Sequence, residues 1–366
     1  MAKLSQKIQT AFFNPRNIPW IVLHKLETVI GYHILKSRSL PPETVNIYPS
    51  FRCNLKCEMC FERFAKAKNE LDINDWLGII DYIKRFHPRI HISGGEPFIF
   101  NDIIRMIEYI KNNNLYLHIT TNGTFLSEYA EDLVRYKVNR IDISIDGPEE
   151  IHDKIRGVKG TFASILTGFE RLRNFKRRYL PILKINSIIN FNNPETMKEV
   201  VALAEQHGAS MVQFIYPFYL NENEVVNHKK FLRSALNRNI NYWCQASYFK
   251  PQSGDFYKIQ AIFNEFSQKK IIIDVFPKFN LEQFKVFYNT PEDFNQVYKG
   301  KCLAMWHTAT ILPDGSIESC PDYVVGSIGR DNFLEIWNNQ SMAGLRKSIR
   351  GKKFLSVCRA CCFYYQ

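Results

Sequence analysis

Three cysteines crowd into the segment FRCNLKCEMCF, where Cys53, Cys57 and Cys60 have the spacing C-x3-C-x2-C. Thiolates from one tight loop can hold three irons of a cubane and leave the fourth iron open to an external ligand. A zinc ion would ordinarily take a fourth protein ligand, and no histidine lies close in sequence to supply one, so zinc is the lesser reading. Farther on stands Gly94-Gly95-Glu96-Pro97, in which glycines let backbone come close to a ligand and a carboxylate can receive an amino group. The segments TTNGT, with Asn122, and DISIDG, with Ser144 and Asp146, add polar side chains in similar settings.

A second set of thiols lies near the other end of the chain. Cys302 is followed by twelve residues, Gly315, four more residues and Cys320, and Cys358 and Cys361 complete the set. Asp314-Gly315 is a strong hairpin signal, and a turn there returns the second strand so that Cys302 and Cys320 approach one point. Four thiolates make a closed site, which holds either zinc or an iron-sulfur cluster, and spacing alone does not choose. Cys362 is a substitute ligand for Cys361, although the C-x2-C pair is preferred. Cys244, in NYWCQAS, belongs to neither set.

The elements that must position these groups alternate. Strands are expected at VNIY from Val45, RIHIS from Arg89, YLHIT from Tyr116, RIDISI from Arg140, ILKINSII from Ile182 and MVQFI from Met211. Between the second and third, Ile103, Ile104, Ile107 and Ile110 have the three-and-four spacing of a buried helix face. Asn193-Pro194 is expected to open another helix. Strand and helix in repeated alternation imply a parallel sheet, curved or closed, with ligands at the C-terminal ends of its strands. The motifs fall at those ends, Tyr216, Phe218 and Tyr219 among them as pocket aromatics. Beyond the sixth strand, helices are expected near Val225 to Asn239 and Phe256 to Gln268, then the Asp314-Gly315 hairpin and a helix around Phe333 to Ile349. The reading divides the chain into a basic helical segment (1–43), an α/β core (44–220), a helical linker region (221–300) and a small hairpin-helix domain (301–366).

Length and composition agree with a globular protein: 366 residues, 45% hydrophobic and 23% charged. No apolar run approaches the roughly 18 residues of a spanning helix, because Lys25 and Glu27 interrupt the first candidate. MAKLSQKIQTAFF has no secretory h-region, so a reducing cytoplasmic setting is expected for the nine cysteines. The net charge of +12 favours an anionic partner. The first forty residues carry Lys3, Lys7, Arg16, Lys25, Lys36 and Arg38 against Glu27 only, with Val22, Leu26, Ile30 and Ile34 along one stripe. The expected arrangement buries this stripe on the core with the basic side in water, the alternative being a helix on a membrane surface.

The triplet with Gly94-Gly95-Glu96-Pro97 resembles the radical S-adenosylmethionine superfamily over about Val45 to Tyr216. The resemblance implies a partial (βα)6 barrel and an iron-sulfur cluster, [4Fe-4S], on Cys53, Cys57 and Cys60. That cluster binds S-adenosylmethionine and reduces it, giving methionine and a 5′-deoxyadenosyl radical. By the same resemblance Gly94, Gly95 and Glu96 meet the methionyl amine, and Asn122 and Ser144 contact ribose or carboxylate. Arg156, in HDKIRG, faces the carboxylate, its alternative being a surface arginine. Met59 takes the place of an aromatic residue packed on adenine. The C-terminal part resembles the SPASM/twitch extension, in its one-cluster twitch form. There an auxiliary [4Fe-4S] cluster on Cys302, Cys320, Cys358 and Cys361 accepts an electron or shapes the pocket.

The activity so implied is hydrogen abstraction from an unactivated carbon. The expected outcome is oxidation or epimerisation of a polar metabolite or sugar; the alternative is maturation of a ribosomally made peptide. A flavodoxin or ferredoxin-type reductant is implied, and nucleic acid is not an expected partner. Cys244 would be the hydrogen-atom donor of an epimerase, or else a buried core thiol. A non-enzymatic iron-sulfur electron carrier is the reading from another class, and it leaves Gly94-Gly95-Glu96-Pro97 and TTNGT without a purpose.

Overall fold

A computed structural model describes residues 18–63, 65–67, 69–175, 179–236, 254–321, 323–329, 332–352, 355 and 357–365. Strands β1 (Thr44–Ile47), β2 (Arg89–Ile92), β3 (Leu117–Thr121), β4 (Arg140–Ser144), β5 (Ile182–Ile188) and β6 (Met211–Ile215) pair in chain order, all parallel. Ile47, Ile90, Ile92, Ile119, Ile141 and Ile185 are fully buried, as expected where helices cover the outside of a parallel sheet and side chains fill its inside. Helix Ile103–Asn112 turns Ile103, Met106, Ile107 and Ile110 onto the sheet. Helix Ile73–Ile83 is fixed at its start by a reciprocal cap between Asp72 and Asp75.

Two strands beyond the expected six extend this sheet. The first, β7 (Ile272–Phe276), pairs with β6 in parallel and lies inside the region read from sequence as helical. The second, β8 (Thr308–Ile311), is the first strand of the C-terminal hairpin and pairs in parallel with the free side of β1. Two antiparallel strands follow, β9 (Ser316–Cys320) and β10 (Tyr323–Ser327), so one sheet of ten strands runs in the order β10-β9-β8-β1-β2-β3-β4-β5-β6-β7. Among the described residues nothing pairs β7 back to the other edge. The architecture is a partial barrel with a small hairpin-helix domain joined to its rim.

Several boundaries differ from the sequence reading. Pro194 precedes its helix by two positions, since Thr196–Gln206 begins after a turn in which Thr196 N–H donates to Asn193 O (3.3 Å). The last long helix is two, Phe333–Trp337 and Gln340–Lys352, because Asn339 interrupts it and its Oδ1 accepts from Met342 N–H (2.9 Å). The largest difference concerns the N-terminal helix, Ile18–Ile30. It packs through His24 and Thr28, with the buried Gly31 just after it, and leaves Val22, Leu26 and Val29 outside. The cause lies in the strap that follows: Trp306 Nε1 donates to Lys36 O (3.1 Å), Arg346 Nη1 to Ser37 O (3.2 Å) and Trp337 Nε1 to Leu40 O (2.8 Å). Gly31 is pressed so near that a Cβ would stand 2.9 Å from both Ser39 Oγ and Trp306 Cδ1. With the strap so held, the helix rotates its polar face inward.

Candidate functional site

The loop after β1 carries Cys53, Cys57 and Cys60, the first and last exposed and Cys57 half-buried. A turn from Cys60 N–H to Cys57 O (3.3 Å) folds it, and Lys56 N–H donates to Arg156 O (3.0 Å). The loop after β2 is laid directly against it. Gly95 N–H donates to Ser50 O (3.0 Å) and Glu96 N–H to Arg52 O (2.8 Å). A Cβ on Gly95 would lie 2.2 Å from Arg52 O, and Gly94 has φ +105°, so both positions require glycine. The two loops therefore approach as bare backbone.

Glu96 is wholly buried and points inward rather than toward solvent. Its carboxylate accepts from Thr121 Oγ1 (2.8 Å), Asn122 N–H (2.8 Å) and Phe98 N–H (3.3 Å), fastening the ends of β2 and β3 together. Burial pushes its pKa up to about 7, opposed by these donors. Asn122, held by Glu96, extends Nδ2 to Asn54 Oδ1 (2.8 Å) and toward Cys53 Sγ (3.9 Å). Ser144 closes β4, half-exposed and opposite Asn186. Arg156 is not a loose surface group: its Nε donates to the buried Asp146 carboxylate (2.7 Å) and Nη1 lies 3.8 Å from Cys57 Sγ. Asn122 and Arg156 thus flank Cys53 and Cys57, with Gly94 and Gly95 packed on the backbone just before the first thiol.

The second set assembles from three separated segments. Cys302, Cys320, Cys358 and Cys361 are all buried and line one small cavity with apolar neighbours such as Met305, Ile349 and Val357. Burial pushes the Cys302 thiol up to about 11 and that of Cys358 to about 12, so thiolate there needs a compensating cation. Four thiols in an apolar cavity, with no acid or histidine on its wall among the described residues, fit a cluster ligated wholly by protein. Arg359, between the last two cysteines and fully buried, forks onto Glu224 at 2.7 and 2.5 Å and locks this turn to helix Glu222–Leu236.

Between the two thiol sets lies a cavity of about 1080 Å³. Met59 and Cys60 line one part of it, and Tyr216, Phe218, Phe276, Tyr298 and Tyr365 form aromatic wall. Arg140, Lys184 and Gln213 project into it from the strands. Arg140 and Lys184 share Asp142 (2.6 and 3.4 Å), and Lys184 also donates to Gln213 Oε1 (2.8 Å). Sequence reading passed over this group, although a lysine inside the apolar strand ILKINSI is its signal. Tyr219, expected in the pocket, is instead buried against Arg359 and donates to the carbonyls of Phe287 and Tyr288 (3.2 and 3.1 Å). Cys362 lines the large cavity while Cys361 lines the small one, and the two adjacent thiols are hydrogen-bonded to each other across the boundary. Cys244 lies outside the described residues.

Comparison with known proteins agrees with this geometry. Residues 47–206 match the family model of the Radical SAM superfamily, and residues 302–362 match the SPASM model, an iron-sulfur cluster-binding domain. The chain therefore carries a Radical SAM domain followed by a SPASM iron-sulfur cluster-binding domain, which implies S-adenosylmethionine, the [4Fe-4S] cluster that binds it and auxiliary iron-sulfur as cofactors. Fe-coproporphyrin III synthase of Methanosarcina barkeri is 31% identical over 50% of this chain, a match that spans only 46% of that protein. Pre-heme d1 synthase of Dinoroseobacter shibae is 24% identical over 89% of this chain and 80% of its own length. The solved structure of Streptococcus suis SuiB bound to precursor peptide SuiA superposes with TM-score 0.65 at 17% identity, over 95% of this chain and 76% of that one, a likeness of fold.

Proposed function

We propose that this enzyme abstracts hydrogen from a bulky, largely apolar substrate bearing acid groups, for which a carboxylated tetrapyrrole is the model. The observation that carries the reading is the cavity: about 1080 Å³, aromatic along its wall and set with Arg140 and Lys184. Part of that volume belongs to S-adenosylmethionine, since Met59 and Cys60 line it, and the remainder with its aromatic wall favours a substrate larger than the polar metabolite or sugar expected from sequence. Relatives named for coproporphyrin and heme d1 chemistry point the same way. A precursor peptide is the second reading, favoured by the overlap with peptide-bound SuiB.

In this proposal Cys53, Cys57 and Cys60 hold the open cluster, Gly94 and Gly95 offer backbone to the methionyl group, and Glu96 acts through Asn122 by fixing its position. Arg156 and Ser144 contact the cofactor's polar groups, and Met59 packs on its base. When bound, the cluster and S-adenosylmethionine would supply the one-electron chemistry that removes hydrogen from the substrate carbon. Arg140 and Lys184 orient the substrate acids, and the aromatic wall excludes water from the reacting carbon. Cys302, Cys320, Cys358 and Cys361 hold the auxiliary cluster, too enclosed to take substrate and so suited to receiving an electron. Cys244 remains a proposed hydrogen donor should the outcome be epimerisation.

The test is 5′-deoxyadenosine release by reduced, anaerobically reconstituted enzyme. Iron coproporphyrin should accelerate it, its methyl ester should not, and Lys184→Met should remove the difference. Acceleration by nucleotide sugars but not by the porphyrin would contradict the reading, and acceleration by peptides alone would favour the second.

A further inference from the structure

The N-terminal helix presents an apolar face to the outside in a molecule that otherwise hides such residues. Six of the nine large hydrophobic side chains exposed among the described residues belong to this one segment: Val22, Leu23, Leu26, Val29, Ile34 and Leu35. Val22, Leu26 and Val29 follow the i, i+4, i+7 spacing of a single face and are 53–55% exposed, and Ile34 extends it at 69%. The orientation is imposed, because the indoles of Trp306 and Trp337 and the guanidinium of Arg346 grip the strap at Lys36, Ser37 and Leu40. Tyr32 adds an edge-on contact with Trp306 at 5.0 Å. A rotation that buried the apolar stripe would break these bonds.

The charge around the face is almost wholly of one sign. Lys25, Lys36 and Arg38 are exposed, and Lys3, Lys7 and Arg16 precede them in sequence. The one acid of the first forty residues, Glu27, pairs with His24 at 2.6 Å. The same helix reaches the substrate cavity, since Lys25, Thr28 and Val29 belong to its lining. No described helix is long and apolar enough to cross a membrane.

We propose that helix Ile18–Ile30 and its extension to Leu35 lie on an anionic lipid surface, the apolar face entering the acyl boundary and the basic residues meeting headgroups. An apolar face bordered by cations is what the interface of an acidic bilayer binds, by burial and by attraction together. The cavity edge formed by Lys25 and Val29 would then meet the lipid interface, where amphiphilic substrates concentrate.

Co-sedimentation of the reconstituted full-length enzyme with vesicles tests this. Vesicles of phosphatidylcholine mixed equally with phosphatidylglycerol should carry the enzyme down, with affinity falling at least about tenfold for pure phosphatidylcholine and again on adding salt. Val22→Glu with Leu26→Glu, both at exposed positions outside the cavity lining, should lower binding about tenfold or more. Its iron content and 5′-deoxyadenosine formation in the absence of lipid should be unchanged. Absence of binding to the acidic vesicles, or equal binding by the double variant, overturns the proposal. So does self-association in solution that the same substitutions abolish without any vesicle binding, which would assign the face to a second copy of the chain.

Discussion

The two thiol sites of this molecule are built in opposite ways. Cys53, Cys57 and Cys60 come from one loop eight residues long, with two of the three exposed and glycine backbone alongside. Cys302, Cys320, Cys358 and Cys361 come from three segments, all buried in an apolar cavity. A loop with three ligands and an open side admits an exogenous ligand; a closed quartet admits only an electron. In the proposed function this contrast gives cofactor cleavage to the first and electron storage or support to the second, with the aromatic cavity between them.

The strongest way to break this contrast is to remove one set at a time. Cys53→Ala with Cys57→Ala and Cys60→Ala should abolish 5′-deoxyadenosine formation and lower iron from about eight per chain to about four. Replacing the C-terminal quartet should cost the other four irons. If the triple variant still forms 5′-deoxyadenosine, the open site has been misassigned.

Next in size is Arg359, whose buried pairing with Glu224 holds the turn between Cys358 and Cys361. Arg359→Ala leaves a buried carboxylate without its cation and should destabilise the protein by about 3–5 kcal/mol. Auxiliary iron should be lost with the open cluster's share retained, read by urea unfolding and iron assay. Equal loss from both sites would show that the turn is not the local clamp described.

The open site has its own sensitivity to acid. His152, fully buried, accepts a hydrogen bond from Asp146 N–H (3.3 Å) beside the Asp146–Arg156 pair, and burial pushes its pKa down to about 4. The unfolded chain takes a proton near 6.5 and the folded one only near 4, so the unfolded state gains as pH falls between these values. The loss is about 3 kcal/mol at most for this group, absent above 6.5 and complete below 4. Thermal melts from pH 7.5 to 5 should show His152→Gln with a flatter decline than wild type; parallel curves would remove His152 from the account.

The smallest predicted effect sharpens the contrast at its finest point. Cys361 and Cys362 are neighbours, yet they line different cavities. Cys361→Ala should lower auxiliary iron, and Cys362→Ala should leave it unchanged. The reverse result would exchange the two ligands.

The sequence revealed most where the information is local. The triplet spacing, the glycine pair that both loops need and the six strands from Val45 to Ile215 are all readable within short windows, and the structure places them at one end of the sheet. What escaped depends on distant partners. Strand Ile272–Phe276 is half-exposed along its whole length at the sheet edge and shows no alternation, although the β-branched run Ile271 to Ile273 was a usable sign. The N-terminal helix was turned the wrong way because its orientation is set by Trp306, Trp337 and Arg346, about 270 to 310 residues away, acting on backbone carbonyls that carry no sequence signal. The inward aim of the Glu96 carboxylate likewise depends on Thr121 and Asn122, which only the pairing of β2 with β3 brings beside it.

The most direct test of the division between the sites is electron paramagnetic resonance of the reduced enzyme before and after S-adenosylmethionine is added. The account predicts that one of two cluster signals shifts, that the shifting signal survives removal of Cys302, Cys320, Cys358 and Cys361, and that it vanishes in Cys53→Ala. A signal that shifts with S-adenosylmethionine in the Cys53, Cys57, Cys60 triple variant would place the open iron in the C-terminal site and contradict the account.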